Sequence, residues 1–396
     1  MDFIVATGIE CSAPIIRGGI RRDQLLLTDH WRRFAEDFDL IAGLGITHLR
    51  YGVPFHIIAR DPSEFDWTWT DIALAALRER GIEPIADLLH FAVPDRLHGI
   101  GDPAMPAAFL TYAAAFADRY PWIRQYTPVN EPYITALLSA KKGWWNEQRK
   151  SDAAFVRAID NVATCGIEAM RLIRQRRSDA VFLQCDGCES FIAADDSPEA
   201  RAQARFLTER AFLGFDLTFG RRVSPMMRSW LRSRGMSAAR QDWFERNGSD
   251  EGCIVGLDYY EGNEALIDAQ GVASPAIRRG FGAIAREVHA RYGLPLMLAE
   301  TNNEEERAVD WLAEIWNDTI EMRDAGLPIR GFCWYSLTDL VDWDTCMREA
   351  NDRVNRLGLV DMDRVRRPVG HAYEVLARQA LAGIAVAMER PARTAA

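Results

Sequence analysis

The chain has 396 residues and a formal net charge of −10, an acidic balance that speaks against nucleic-acid binding, whose affinity rests on Lys and Arg neutralising phosphates. Hydrophobic residues at 48% and charged residues at 26% are ordinary globular usage, enough for a large core and against wholesale disorder. The length would hold two average domains, but a (βα)8 barrel with insertions uses it as one unit, so length alone does not choose.

In chain order, residues 1–30 break their apolar stretches with Arg17, Arg21, Arg22, Asp23 and Asp29, which fits neither a secretory leader nor a membrane span. A cytoplasmic protein with no membrane partner is expected. Short apolar runs then recur at 3–9, 46–53, 82–89, 123–130, 180–186, 253–259, 294–300 and 329–337. Such runs suit strands buried on both faces, as a helix-covered parallel sheet requires. Helical patterns fall between them at 29–43, 71–80, 106–119, 152–176, 276–291, 304–324 and 369–383. Gly45, Gly81, Gly293 and Gly326 each close such a run, the left-handed position that turns a helix into the next strand. Eight strands alternating with helices predict an α/β fold, the closed (βα)8 TIM barrel, as one catalytic domain over 1–384. The long stretch 190–250, with helical runs at 199–213 and 225–234, is expected to be an elaborated loop between strands five and six. Residues 385–396 read as a frayed tail.

Several chemistries lack their signatures. The seven cysteines are scattered and odd in number, so reduced thiols are expected, and Cys185 and Cys188, with redox or metal spacing, are read as structural. The seven histidines form no H-x-H or H-E-x-x-H cluster, and no G-x-G-x-x-G follows the first strand, so neither a metal nor a nucleotide cofactor is expected.

Polar residues cluster where the apolar runs end. Arg50 ends the second; Asp87 and His90 the third; Asn130 and Glu131 the fourth; Asp186 and Glu189 the fifth; Asp258 and Tyr260 the sixth; Glu300 the seventh; Asp339 and Asp342 the eighth. In a barrel all of these gather at the C-terminal mouth, where such enzymes place their chemistry. Taken singly, about half of such residues serve as helix caps or salt bridges. That reading suits Glu131 poorly, because Pro132 biases it toward an extended backbone, and Glu300 ends an apolar strand that carries it into the mouth. Two carboxylates facing across a mouth suit glycoside hydrolysis, one protonating the leaving oxygen, the other attacking or activating water, with their separation deciding which.

Five segments carry a resemblance. The run Thr127-Pro128-Val129-Asn130-Glu131-Pro132 resembles the N-E-P segment of family 1 glycoside hydrolases, and Ala299-Glu300-Thr301-Asn302 resembles their T-E-N-G segment. Gly256 to Tyr260 is similar to G-I-N-Y-Y, Tyr335 to Trp343 to W-S-L-L-D-N-F-E-W, and His90 to Pro94 to H-W-D-L-P; Leu357 to Asp361 continues the likeness toward the C-terminus. The resemblance implies a retaining, exo-acting β-glycosidase working through a covalent glycosyl-enzyme, with Glu131 as acid/base and Glu300 as nucleophile. It further implies that Asn130 bonds the sugar 2-hydroxyl, Tyr260 orients Glu300, Arg50 keeps Glu300 ionised, His90 meets a sugar hydroxyl, and Trp334 or Tyr335 forms the platform under the ring. Asp258 stands for the family's Asn, Asp342 for the Glu that grips outer sugar hydroxyls beside Trp343, and Glu10 near the strand-one Gln. Trp144-Trp145 and the stretch 343–351 could build a pocket or merely pack. The partner implied is a small glycoside or oligosaccharide. A transglycosylase using the same intermediate and a non-catalytic sugar-binding barrel are the alternatives, and both a monomer and a homo-oligomer fit the sequence.

Overall fold

The computed structural model describes residues 3–62, 64–276, 278–384 and 386–388. Eight parallel strands close into a barrel: β1 (Ile4–Ile9), β2 (His48–Gly52), β3 (Glu83–Asp87), β4 (Gln125–Thr127), β5 (Val181–Gly187), β6 (Cys253–Asp258), β7 (Leu296–Glu300) and β8 (Ile329–Trp334), with β8 pairing back onto β1. Each coincides with the corresponding apolar run, usually shorter. The fourth keeps three residues of an expected eight, because Asn130 and Glu131 have already left the sheet to enter the loop above it.

Alternation along the strands makes two cores. Inside the barrel lie Ile4, Ala6, Ile85, Leu183, Cys185, Ile254, Met297, Ala299, Cys333 and Tyr335. Outside it, under the helices, lie residues such as Leu49, Tyr51, Phe182, Val255, Leu298, Phe332 and Trp334. Covering helices include His30–Gly43, Thr68–Glu79, Met105–Arg119, Asp152–Arg176, Phe281–Tyr292, Glu305–Asp324 and Pro368–Leu381. No helix among the described residues is long and apolar enough to cross a membrane.

The insertion after β5 is richer than its sequence pattern suggested. The strand Ser190–Ala193 joins a small sheet with Glu264–Ile267 and Ala273–Pro275, and four helices follow at Pro198–Ala211, Leu213–Thr218, Pro225–Ser233 and Ala238–Asn247. Ser197, Ser224 and Ser237 open three of these helices, each hydroxyl accepting from the backbone N–H three residues on. The segment is anchored by Leu213, Phe215, Leu217 and Phe219, all within the main core. Part of the expected tail is also held. Trp316 Nε1 donates to Val386 O at 2.9 Å, and the Asn317 amide makes both a donor and an acceptor bond to the Met388 backbone. Residues 389–396 of that expected tail lie outside the described residues.

Candidate active site

Inward positions near the strand ends meet above the barrel core. Arg50 on β2 is their hub. Its Nη1 donates to the Glu300 carboxylate and to Ala299 O at 3.1 Å; its Nη2 donates to Asn130 Oδ1 at 2.6 Å and reaches Asp87 Oδ2 at 3.5 Å. The guanidinium, buried to 1% exposure, fixes groups from three other strand ends at once, which a planar fork of five donors can do and an ammonium cannot.

Glu300 reaches this hub through an irregularity. On β7, Met297 and Ala299 point inward and Leu298 outward, so strict alternation would turn Glu300 toward the helices. Opposite β6 the register runs Leu298 to Leu257 and then Glu300 to Asp258, leaving Ala299 as an extra residue. This bulge re-aims Glu300 into the mouth, a common use of bulges beside active sites. Tyr260 completes its environment, the phenol donating to Glu300 Oε2 at 2.7 Å.

Glu131 has a different setting. Its backbone is left-handed, φ 41°, correcting the extended conformation expected from Pro132. Strain there is offset by two bonds: Glu131 N donates to Cys185 O at 3.1 Å, and Thr135 N donates to Glu131 O at 2.8 Å. Pro132 then starts the short helix Pro132–Ala136, whose N-cap position Glu131 occupies without any capping bond from its side chain. That duty falls to Asp186 on β5, which accepts from Tyr133 N at 2.9 Å. Burial, then the crowding of Asp258, Glu300 and Asp186, acids that do not all ionise together with it, push the Glu131 carboxyl well above the usual carboxylate range, against the pull of His90. It is a group arranged to keep its proton.

His90 and Glu10 form the adjoining wall. His90 Nδ1 lies 2.9 Å from Asp87 Oδ2, and its Nε2 lies 3.3 Å from Asn130 Nδ2 and 3.8 Å from Glu10 Oε1. Burial opposes charge on His90, but Cys11 and Asp87 outweigh it and the imidazole is held well above its ordinary value. Glu10 accepts from Ser12 N at 2.8 Å, and burial raises its carboxyl. The Tyr335 ring stacks parallel to His90 at 6.2 Å, with the Arg50 guanidinium over it at 5.3 Å. Gly8 makes room for that ring: a Cβ there would stand 2.0 Å from Tyr335 Cε2.

Two expected residues fall elsewhere. Trp334 is an outward residue of β8, fully buried under the helices with Nε1 donating to Leu357 O at 3.0 Å, so of the two candidate platforms only Tyr335 faces the mouth. Asp342 does not present a free carboxylate to a sugar. Arg22 Nη2 donates to its Oδ2 at 2.6 Å, and Arg353 N and Asn351 N donate at 2.9 and 3.2 Å, so the shortened side chain ties down its own loop. Trp343 remains at the rim, its ring edge-on to Trp145 at 6.3 Å. Trp145 itself packs, fully buried with Ile16, Phe91, Leu138 and Met347 in an apolar cluster drawn from loops after β1, β3, β4 and β8. Asp87 and Asp186 were visible as strand-end acids but not as orienting groups. The i, i+3 spacing of Asp87 and His90 was the available signal for the first; nothing local marks the second. A separate cavity of about 290 Å³, lined by Glu189, Phe191, Phe212, Phe215 and Arg279 among others, lies behind β5 and contains neither Glu131 nor Glu300.

A closed parallel barrel with acids, an arginine and a histidine from successive strand ends gathered over one mouth is an enzyme of the (βα)8 class. The family model for glycosyl hydrolase family 1 matches residues 22–279. A beta-glucosidase from an Agrobacterium species is 24% identical over 409 aligned residues, spanning 88% of this chain and 84% of its own. Beta-glucosidase A of Thermotoga maritima is 20% identical over 395, spanning 87% and 85%. The structure of a beta-glucosidase from Thermotoga maritima in complex with deoxynojirimycin superposes with a TM-score of 0.84 at 17% identity, over 98% of this chain and 99% of that one. The chain belongs to glycosyl hydrolase family 1, and is a glycoside hydrolase acting on O-glycosyl bonds.

Proposed function

We propose that the protein is a retaining, exo-acting β-glycosidase that hydrolyses a small β-D-glycoside through a covalent glycosyl-enzyme, with Glu131 as acid/base and Glu300 as nucleophile. The observation that carries this reading is the contrast between the two carboxyls. Glu300 accepts from Arg50 and Tyr260, whereas Glu131 is surrounded mainly by other acids that favour its protonated form. A carboxyl that keeps its proton and a second one anchored by two donors are what acid/base and nucleophile require.

In the first step Glu131 gives its proton to the glycosidic oxygen while Glu300 attacks the anomeric carbon from the opposite face; the bond to the aglycone breaks and an ester to Glu300 forms. In the second, Glu131, now ionised, takes a proton from water, whose oxygen displaces Glu300. Both inversions together return the original configuration. Asn130 spends its Oδ1 on Arg50, which leaves its amide N–H groups as donors for the sugar 2-hydroxyl. His90, Glu10 and Tyr335 line the face the ring would meet, and Trp343 the rim. The seven cysteines are all free thiols, which suits a cytoplasmic enzyme. A panel of chromogenic β-glycosides, with E300Q as the blank, tests the reading. Proton NMR of the first-formed sugar should show the β-anomer; release of the α-anomer would overturn retention.

A further inference from the structure

Asp258 ends β6 pointing into the barrel mouth, in register with Glu300 on β7. Its carboxyl is fully buried, and neither oxygen has a hydrogen-bond partner among the described residues. The nearest cation, Arg50 Nη1, stands 3.8 Å from Oδ1 and already donates to Glu300 and to Ala299 O. The groups facing Asp258 come from every neighbouring strand end: Arg50 from β2, His90 beyond β3, Glu131 beyond β4, Cys185 and Asp186 from β5 with Cys188 just past it, Tyr260 just past its own strand, Glu300 from β7 and Cys333 from β8. Three of these are acids and two are cations, and both cations are engaged by other carboxylates.

A carboxylate in such a place lacks what makes burial of an ion tolerable. Taking the ion out of water costs several kcal/mol unless donors replace the lost hydration, and here there are none. Binding a proton removes the charge, and adjoining carboxyls that share one site do not all ionise together.

We propose that Asp258 is carried as a neutral acid whose O–H is a hydrogen-bond donor beside Glu300, so that catalysis is confined to the pH range in which Asp258 as well as Glu131 holds its proton. The catalytic half of this rests on the assignment of Glu131 and Glu300 above. A protonated carboxyl has a donating group beside an accepting oxygen, as does the amide that the family pattern carries at this position, whereas a carboxylate only accepts, so the acid substitutes for the amide only while protonated. Burial first, then the charge of Glu300, drives the group in that direction, with Arg50 opposing. Once ionised, Asp258 competes with Glu300 for Arg50 Nη1 and tightens the hold of Glu131 on its own proton.

Two measurements on the full chain test this. The first is the alkaline limb of kcat/KM. In the wild type it should fall by about two powers of ten per pH unit, one for each acid, and in D258N by one. E131Q leaves Asp258 intact and should keep a limb of one power of ten on a substrate with an activated leaving group. A single-proton limb in the wild type, or no limb in E131Q, overturns the proposal. The second measurement needs no activity. A carboxyl raised above its unfolded value of about 3.9 contributes stability below that pH and loses it as pH rises through the folded value. The Tm of D258N relative to wild type should therefore climb steadily above about pH 4. A difference that stays flat to about pH 9 refutes the neutral acid. If no glycoside is cleaved, the Tm comparison still decides the proton on Asp258, and the failure belongs to the glycosidase reading.

Discussion

The insertion after β5 touches the chemistry through one glycine. A Cβ on Gly214, in the helix Leu213–Thr218, would lie 2.2 Å from Asp186 Oδ2, 3.2 Å from Pro132 Cβ and 3.3 Å from Tyr133 N. Asp186 Oδ2 is the atom that accepts from Tyr133 N at 2.9 Å and so fixes the segment that begins with Glu131. In G214A the carboxylate must retreat by more than about 1 Å to reach ordinary contact, breaking the cap. Overpacking of this kind costs about 1–3 kcal/mol, and the lost bond adds about 1 kcal/mol, so Tm should fall by a few degrees. The larger effect is on rate, since a misplacement of about 1 Å costs on the order of 10²-fold. That loss should depend on the leaving group. A glycoside of a poor leaving group needs the proton of Glu131, whereas a dinitrophenyl glycoside departs unaided. We expect kcat/KM, which reports the step in which the leaving group departs, to fall on the order of 10²-fold for the first and less than about tenfold for the second. Equal losses for both substrates would falsify the view that Gly214 acts through the acid.

Tyr260→Phe removes the donor to Glu300 Oε2, a bond to a charged group worth about 1.5–3 kcal/mol, so kcat/KM should drop roughly 10- to 150-fold and Tm should fall by a few degrees. A drop below about threefold would mean that the phenol does not serve the nucleophile. E131Q should lose on the order of 10²–10⁴-fold on poor leaving groups and regain much of it on activated ones. Because the Glu131 carboxyl is raised on folding, its contribution to stability is present below an unfolded value of about 4.3 and lost as pH rises, so E131Q should gain Tm over wild type at neutral pH. A Tm gap independent of pH contradicts that sign. Trp334→Phe, which gives up the bond to Leu357 O beneath the helices, should cost roughly 1–3 kcal/mol of stability with KM unchanged across sugars. A sugar-dependent change in KM would return Trp334 to the pocket.

The barrel was legible because a strand buried on both faces writes a continuous apolar run, and eight such runs leave little choice of architecture. The two glutamates were legible for the same reason, each standing where a run stops. Orientation was less accessible. The alternation that sends Trp334 outward and Tyr335 inward is present in the β8 sequence, since Cys333 and Tyr335 fill the barrel while Phe332 and Trp334 meet the helices. On β7 the same rule fails at Glu300, because the bulge at Ala299 is a property of pairing between two strands and no residue in the run announces it. The left-handed Glu131 is set by Cys185 O, a partner 54 positions away, against the local bias of Pro132.

Asp342 shows how far a matched motif position can drift from the contact it suggests. Its carboxylate faces Arg22 and two backbone N–H groups of its own loop, and Arg22 also binds Asp352 at 2.7 Å, so the stretch between them is cinched at both ends by one guanidinium. A carboxylate with its lone pairs already committed offers a sugar hydroxyl no more than an occasional shared bond. The cinched loop carries Met347 against Trp145, Phe91, Leu138 and Ile16, an apolar roof assembled from four βα loops. That cluster is buried, so it holds the loop in place rather than offering a surface to a ligand. On the proposed function, polar discrimination would fall to the inner residues, Glu10, His90, Asn130 and the two glutamates, since a site built to bond a hydroxyl discriminates strongly. It follows that exchanging Asp342 perturbs the loop as a whole, so its effect on KM should be similar for sugars differing only at their outer hydroxyls.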